Sequence, residues 1–182
     1  PVVRLYNDGL KGKAVKEVKM KCAGKDLWIA CVKGNLAGKF YTFDIGNGET
    51  PGVFAKAVGV NGNRGAIINL RSTDPDGWQN DQRPALNSAA NQVIYEMHVR
   101  DFTHAAPGIS YPDKFLGVGE SASVDYLKRL GVTAVHLLPV FDFASVDETK
   151  LTNPSYNWGY DPKNYNVPEG SYSTDPYRPE VR

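Results

Sequence analysis

The chain has 182 residues, 41% of them hydrophobic and 23% charged, with a formal net charge of +1. That length affords one medium domain or two small ones with a real core, and so small a charge implies no nucleic-acid, polyanion or membrane-surface partner. No apolar run approaches the roughly 20 residues of a membrane span, and the N-terminus lacks the basic-then-apolar order of a signal peptide. The start at Pro1 rather than Met is expected of a processed form or an excerpt, and it leaves the compartment unknown.

From Val2 to about Leu70, short alternating segments broken by Gly, Asn and Asp predict antiparallel strands, most clearly over residues 15–21, 27–32 and 39–44, with a final short one over 66–70. The half reads as a small β-sandwich. Trp28, Ala30 and Val32 share one face of a period-two strand, which favours core packing for Trp28 over a sugar platform. The exposed aromatic candidates are Trp78, Tyr41 and Phe54. If residues 23–26 turn the chain, Cys22 faces Leu27 while Cys31 falls opposite about Val18. At about 3.3 Å per strand residue that offset is too large for a disulfide, so two unlinked thiols are expected.

Asp74-Pro75-Asp76-Gly77 and Arg83-Pro84 are turn chemistry without apolar periodicity, the mark of a linker. The domain reading is residues 1–75, a linker over 76–91, and a second unit over 92–182.

The second unit changes period. Residues 93–99 form a largely apolar run, as in a strand covered on both faces. Ser121 is placed to cap a helix with Val124, Leu127 and Leu130 at helical spacing and Gly131 as its stop. A second buried strand follows over 132–138, closed by Pro139. Strand, crossover helix and strand make a βαβ unit and a parallel sheet, whose ligands gather beyond the carboxyl ends of the strands. Two segments lie there, residues 100–119 and the long aromatic stretch after Pro139, read as a functional loop. His98 and His136, at apolar strand positions, read as satisfied core residues, and His104 as solvated.

Within the last stretch stands Tyr156-Asn157-Trp158-Gly159-Tyr160-Asp161-Pro162. Aromatic rings offer flat apolar faces to the C–H patches of a pyranose, and Asn157 and Asp161 add directional hydrogen-bonding groups. A sugar site and a well-packed surface loop are both open on these residues alone.

The heptapeptide, together with residues 94–102 (IYEMHVRDF), 131–140 (GVTAVHLLPV) and 164–173 (NYNVPEGSYS), resembles type I pullulanases of glycoside hydrolase family 13. The likeness extends over essentially the whole chain. The first half is similar to the carbohydrate-binding module family 48 sandwich that precedes the catalytic barrel, with its opening strands partly missing and residues 50–54 departing from the usual pattern. The resemblance implies a β-sandwich domain followed by the first βα units of an incomplete (β/α)8 TIM barrel. It implies hydrolysis of α-1,6-glucosidic linkages in pullulan and related α-glucans with retention of configuration, by a nucleophile and an acid/base about 5 to 5.5 Å apart.

Those carboxylates come from barrel strands four, five and seven, so none is assigned in this chain, and the 182 residues alone are expected to be inactive. By the same resemblance Tyr160 stacks on the sugar at the cleavage subsite, Asp161 orders the site, and Asn157 and Trp158 belong to the same loop, where Trp158 also suits a bracing role. No metal-ligand cluster and no cofactor are evident in the sequence, although calcium is admitted for the full-length enzyme. The implied partner is an α-glucan polysaccharide, at branch points of pullulan, starch or glycogen. Alternatives are a non-catalytic α-glucan-binding module, or a related enzyme such as isoamylase or branching enzyme.

Overall fold

The computed structural model describes residues 1–85, 88–152 and 155–182. Strand β1 (Val2–Tyr6) pairs antiparallel with β2 (Lys16–Lys19), and β3 (Lys21–Gly24) and β4 (Leu27–Ile29) then form a separate hairpin. On the other side of β1 lies β5 (Phe40–Asp44), which pairs antiparallel with β6 (Glu49–Thr50) and β7 (Gly65–Ala66).

Register fixes the two faces of this five-stranded sheet, because directly opposed residues point the same way. Arg4 opposes Thr42 and Tyr6 opposes Phe40 on one face, while Val3 opposes Phe43 and Leu5 opposes Tyr41 on the other. The first face carries a charged web in which Arg4 bonds Glu17, Asp44 and Glu49 at 2.9, 2.8 and 3.2 Å. The second is apolar, and the β3–β4 hairpin with the segment after it leans over it, leaving an open groove of about 440 Å³ lined by Trp28, Val32, Tyr41 and Phe43 among others.

Trp28 is therefore not a core residue: it is 44% exposed. Among the described residues the hairpin pairs only with itself, so its alternating apolar face meets the sheet along one side, and the expected second layer of a sandwich is reduced there to two strands. Cys22 and Cys31 are free and exposed, as their offset predicts, although a bulge sets Cys22 opposite Trp28 rather than Leu27.

Residues 55–62 fold back beneath the sheet, burying Ala55, Ala57, Val58 and Val60. Gly59 lies so close to Gly9 that a Cβ there would fall 2.6 Å from the Gly9 Cα. Short exposed 3-10 turns follow at Leu70–Thr73, Trp78–Asn80 and Ala89–Asn91.

Strands β8 (Ile94–Met97) and β9 (Ala134–Leu137) pair in parallel, Ile94 opposite Ala134 and Met97 opposite Leu137. Between them come α1 (Val99–His104), α2 (Phe115–Gly119) and α3 (Ser121–Arg129). Glu120, not Ser121, occupies the cap position of α3. The helix ends as the glycine predicts: Gly131 is left-handed at φ 74, its N–H bonds the Lys128 carbonyl, and Val132 N–H reaches Leu127, a Schellman closure.

The two parallel strands are not covered on both faces, for Ile94 is 61% exposed and Val135 41%. Their packing comes from one side, where Leu137 and Val99 join Phe143, Val146 and Tyr172 in one cluster. His136 is exposed on β9, against the core placement expected for it, whereas His98 is buried just past the end of β8 and His104 is exposed.

The stretch after Pro139 is not a structureless loop. β10 (Phe141–Phe143) and β11 (Pro162–Pro168) form an antiparallel ribbon interrupted by bulges. Val167 of the ribbon packs on Ala55 and Val58, so the ribbon joins the sheet to the parallel pair.

Candidate functional site

The 156–162 loop projects from the closed end of this ribbon, beyond the carboxyl end of β8, and is shaped by hydrogen bonds among its own residues. Asn157 Oδ1 accepts the Gly159 N–H at 2.6 Å, a local Asx turn. Asn157 Nδ2 donates to Asp161 Oδ1 at 2.8 Å and to Ser145 Oγ at 2.6 Å, and Ser145 Oγ donates to Asp161 Oδ2 at 2.6 Å. Gly159, at φ 90, is pressed against Pro139: a Cβ would lie 2.2 Å from the Pro139 carbonyl oxygen. Partial burial pushes the Asp161 carboxyl up, but the bonds from Ser145 and Asn157 outweigh it and hold the group below its ordinary value. Asp161 is thus a fixed carboxylate.

With its polar groups so engaged, the loop turns its rings outward. Tyr160 is 66% exposed and Trp158 62%. Tyr156 is anchored instead, its hydroxyl donating to Asp101 Oδ2 at 2.7 Å, a bond that raises the phenol's pKa.

Behind the loop sits His98, 6% exposed. Its ring stacks on Tyr156 with centroids 5.3 Å apart and meets Tyr172 edge-on at 5.7 Å. Nδ1 accepts the Asp101 N–H at the start of α1, so the hydrogen-bond pattern assigns the proton to Nε2, which lies 2.8 Å from the Asn157 carbonyl and 2.9 Å from the Tyr172 hydroxyl. The cavity between these groups is about 80 Å³, far below the roughly 300 Å³ at which ligand pockets begin. The faces of Tyr160 and Trp158, by contrast, are open to solvent.

All four predicted site residues, Asn157, Trp158, Tyr160 and Asp161, therefore lie in one loop, the polar pair bonded to each other and the rings facing solvent. The sequence reading passed over the residues that hold them. Asp101 lay in plain view just after the first strand, and Tyr172 among the aromatics of the last stretch. Ser145 gave no signal at all.

Among the described residues, Asp142, Glu148 and Glu169 are the carboxylates close enough to share a cation, with ligand oxygens within 4.8 Å of one another. A cation of the chain already serves them. Arg182 donates to Asp142 Oδ1 at 2.9 Å and to Glu148 Oε2 at 2.5 Å, with its side chain 2% exposed. Glu169 accepts the N–H groups of Phe143 and Ser171 at 2.9 and 2.8 Å. Burial, with the Glu148 charge alongside, pushes its carboxyl up to about 7. Such a pKa suits a general acid, yet Glu169 is 0% exposed and touches no surface a substrate could reach. The donor set fits an arginine-compensated structural cluster and not a divalent-ion site.

The sheet, the parallel pair and the loop all have counterparts in solved pullulanases. Over its full length the chain is homologous to pullulanases. The pullulanase of Paenibacillus barengoltzii, solved with maltohexaose and alpha-cyclodextrin, superposes with a TM-score of 0.93 at 47% identity, covering 100% of this chain and 30% of its own. The pullulanase of Bacillus acidopullulyticus superposes at 0.87 and 38% identity, covering 98% of this chain and 24% of its own. Among curated proteins, the pullulanase of Bacillus subtilis strain 168 is 37% identical over 99% of this chain. The chain spans 26% of the length of that relative. No family model matches the chain. Among the described residues, no helix is long and apolar enough to cross a membrane.

Proposed function

We propose that the chain is part of a type I pullulanase of glycoside hydrolase family 13, which hydrolyses α-1,6-glucosidic linkages in pullulan and related α-glucans with retention of configuration. In this reading residues 1–75 are the family 48-like module, 76–91 the linker, and 92–182 the opening of the catalytic barrel, with β8 and β9 as its first two strands. The observation that carries the proposal is the close superposition on pullulanases across the whole chain, one of them solved with maltohexaose, combined with a loop whose polar groups are tied down and whose rings are open.

Tyr160 is the stacking platform and Asp161 the carboxylate that orders it; Asn157 locks the pair and Trp158 flanks them. The catalytic carboxylates are supplied by sequence outside these 182 residues. Support comes from the buried carboxylates and that of the loop: Asp142, Glu148 and Glu169 are consumed by Arg182 and backbone amides, and Asp161 by Ser145 and Asn157. No cofactor is asked of the chain, and calcium in the full-length enzyme would need ligands other than the Arg182 cluster.

The test is turnover of pullulan. The 182-residue chain should release no reducing sugar, and Tyr160→Ala in an enzyme that contains the chain should cut turnover strongly without changing its thermal unfolding. Activity of the chain alone, or unchanged kinetics of the variant, contradicts the proposal.

A further inference from the structure

We propose that His98 is a positioning residue for the sugar-facing loop: the buried imidazole carries the shape of the α1 start into the 156–162 loop. The inference rests on reading that loop as a sugar site. The side chain needed at this point must accept on one edge and donate on the other. Its Nδ1 accepts the Asp101 N–H, while Nε2–H is shared between the Asn157 carbonyl and the Tyr172 hydroxyl. It must also be flat, since Tyr156 stacks on one face and Tyr172 abuts it edge-on.

Asn157 is the residue whose side chain locks Asp161 and Gly159, so holding its carbonyl sets the origin from which Tyr160 and Trp158 project. Tyr156 is held twice, by the His98 face and by Asp101. Asp101 in turn owes its backbone position to the His98 cap. One buried ring thereby fixes both ends of the segment 156–157. His98 touches no substrate, and its effect runs wholly through these contacts.

Two substitutions separate the roles of the two nitrogens. His98→Asn keeps an acceptor near Nδ1, and with it the helix cap, but is too short to reach Asn157. His98→Gln places an amide N–H near Nε2 and keeps the loop contact. Both are made with Trp28→Phe and Trp78→Phe, so that Trp158 is the remaining indole of the three in the chain. The readouts are maltohexaose titration and acrylamide quenching of Trp158 fluorescence.

His98→Asn should weaken maltohexaose binding about tenfold, as loss of one buried hydrogen bond implies, and raise the quenching, while unfolding stays cooperative. His98→Gln, which keeps the loop contact but not the cap or the ring, should recover part of both. Parent-like binding and quenching in His98→Asn, or a His98→Gln variant as impaired as His98→Asn, overturns the proposal. Should His98→Asn fail to fold, His98→Ser, which caps helices well but cannot reach the loop, takes its place with the same expected losses. If the unsubstituted chain ignores maltohexaose, it is the sugar reading that falls, and the quenching comparison alone decides whether His98 positions the loop.

Discussion

Asn61 and Glu148 hold each other reciprocally: the Asn61 N–H donates to Glu148 Oε2 at 2.6 Å, and the Glu148 N–H donates to Asn61 Oδ1 at 2.7 Å. Asn61 stands in the left-handed region at φ 62, a conformation Asn tolerates better than most residues. Its Nδ2 also reaches Asp147 at 3.0 Å, and Lys163 Nζ bonds its carbonyl at 2.8 Å. The sheet half and the ribbon are thus joined through one residue's backbone and side chain together.

Asn61→Ala removes both side-chain bonds and leaves a Cβ in the left-handed region without compensation. The expected loss is about 2 to 3 kcal/mol, from two hydrogen bonds plus backbone strain. Asn61→Gly loses the same bonds but not the conformation, so it should cost about 1 kcal/mol less. Urea unfolding of both variants checks the order; an alanine variant no worse than the glycine one would falsify the strain argument.

Arg182 is the counter-charge of the same joint. Besides Asp142 and Glu148, it donates to the Gly59 carbonyl at 3.2 Å and the Pro168 carbonyl at 3.3 Å, so it spans all three segments. Replacing it by Met leaves two buried carboxylates without a cation, which costs about 3 to 5 kcal/mol when one partner of a buried pair is removed. Combining Arg182→Met with Glu148→Gln should recover part of that loss at pH 7. A double variant as unstable as the single one would place the cost in lost packing rather than in charge.

Glu169 gives the fold a pH dependence of definite sign. Its carboxyl titrates near 7 in the folded chain against an ordinary 4.5, so the folded state binds the extra proton between those values. Stability from this group is present below about pH 4.5 and is lost as pH rises through 7, by at most about 3 kcal/mol. Glu169→Gln mimics the protonated acid. Relative to the parent, it should gain stability between pH 5 and pH 8; a constant difference across that window, in urea unfolding at both pH values, refutes the assignment.

What the sequence made legible was what apolar pattern and turn chemistry encode. A strand within the run 93–99, the helical spacing closed by Gly131 and the parallel return over β9 were all readable, because Leu127 and Gly131 do locally what their chemistry demands. The β10–β11 ribbon was not. Its buried positions include Asp142 and Asn164, polar groups satisfied by each other and by Arg182, and bulges break its alternation. Trp28 failed for the opposite reason: its strand alternates correctly, but the surface it would pack against covers it on one side only. In the loop, residue types disclosed the rings and the carboxylate. The imidazole behind them came into view only when β8, α1 and Tyr172 were brought together in space.

Gly159 offers the sharpest separation of loop shape from loop chemistry. It makes no side-chain contact, yet a methyl group there would fall 2.2 Å from the Pro139 oxygen with φ at 90, so Gly159→Ala must displace the chain between Asn157 and Tyr160. The Asn157–Asp161 bond spans that turn and should break with it, releasing the Asp161 carboxyl toward its ordinary pKa, since the hydrogen bonds are what hold it down. Global stability should fall by only about 1 to 2 kcal/mol, because the strain is confined to one turn of the loop. Maltohexaose binding should drop by as much as in Tyr160→Ala. An alanine variant with an unshifted Asp161 carboxyl resonance across a pH titration would mean that the turn does not set the geometry of the site.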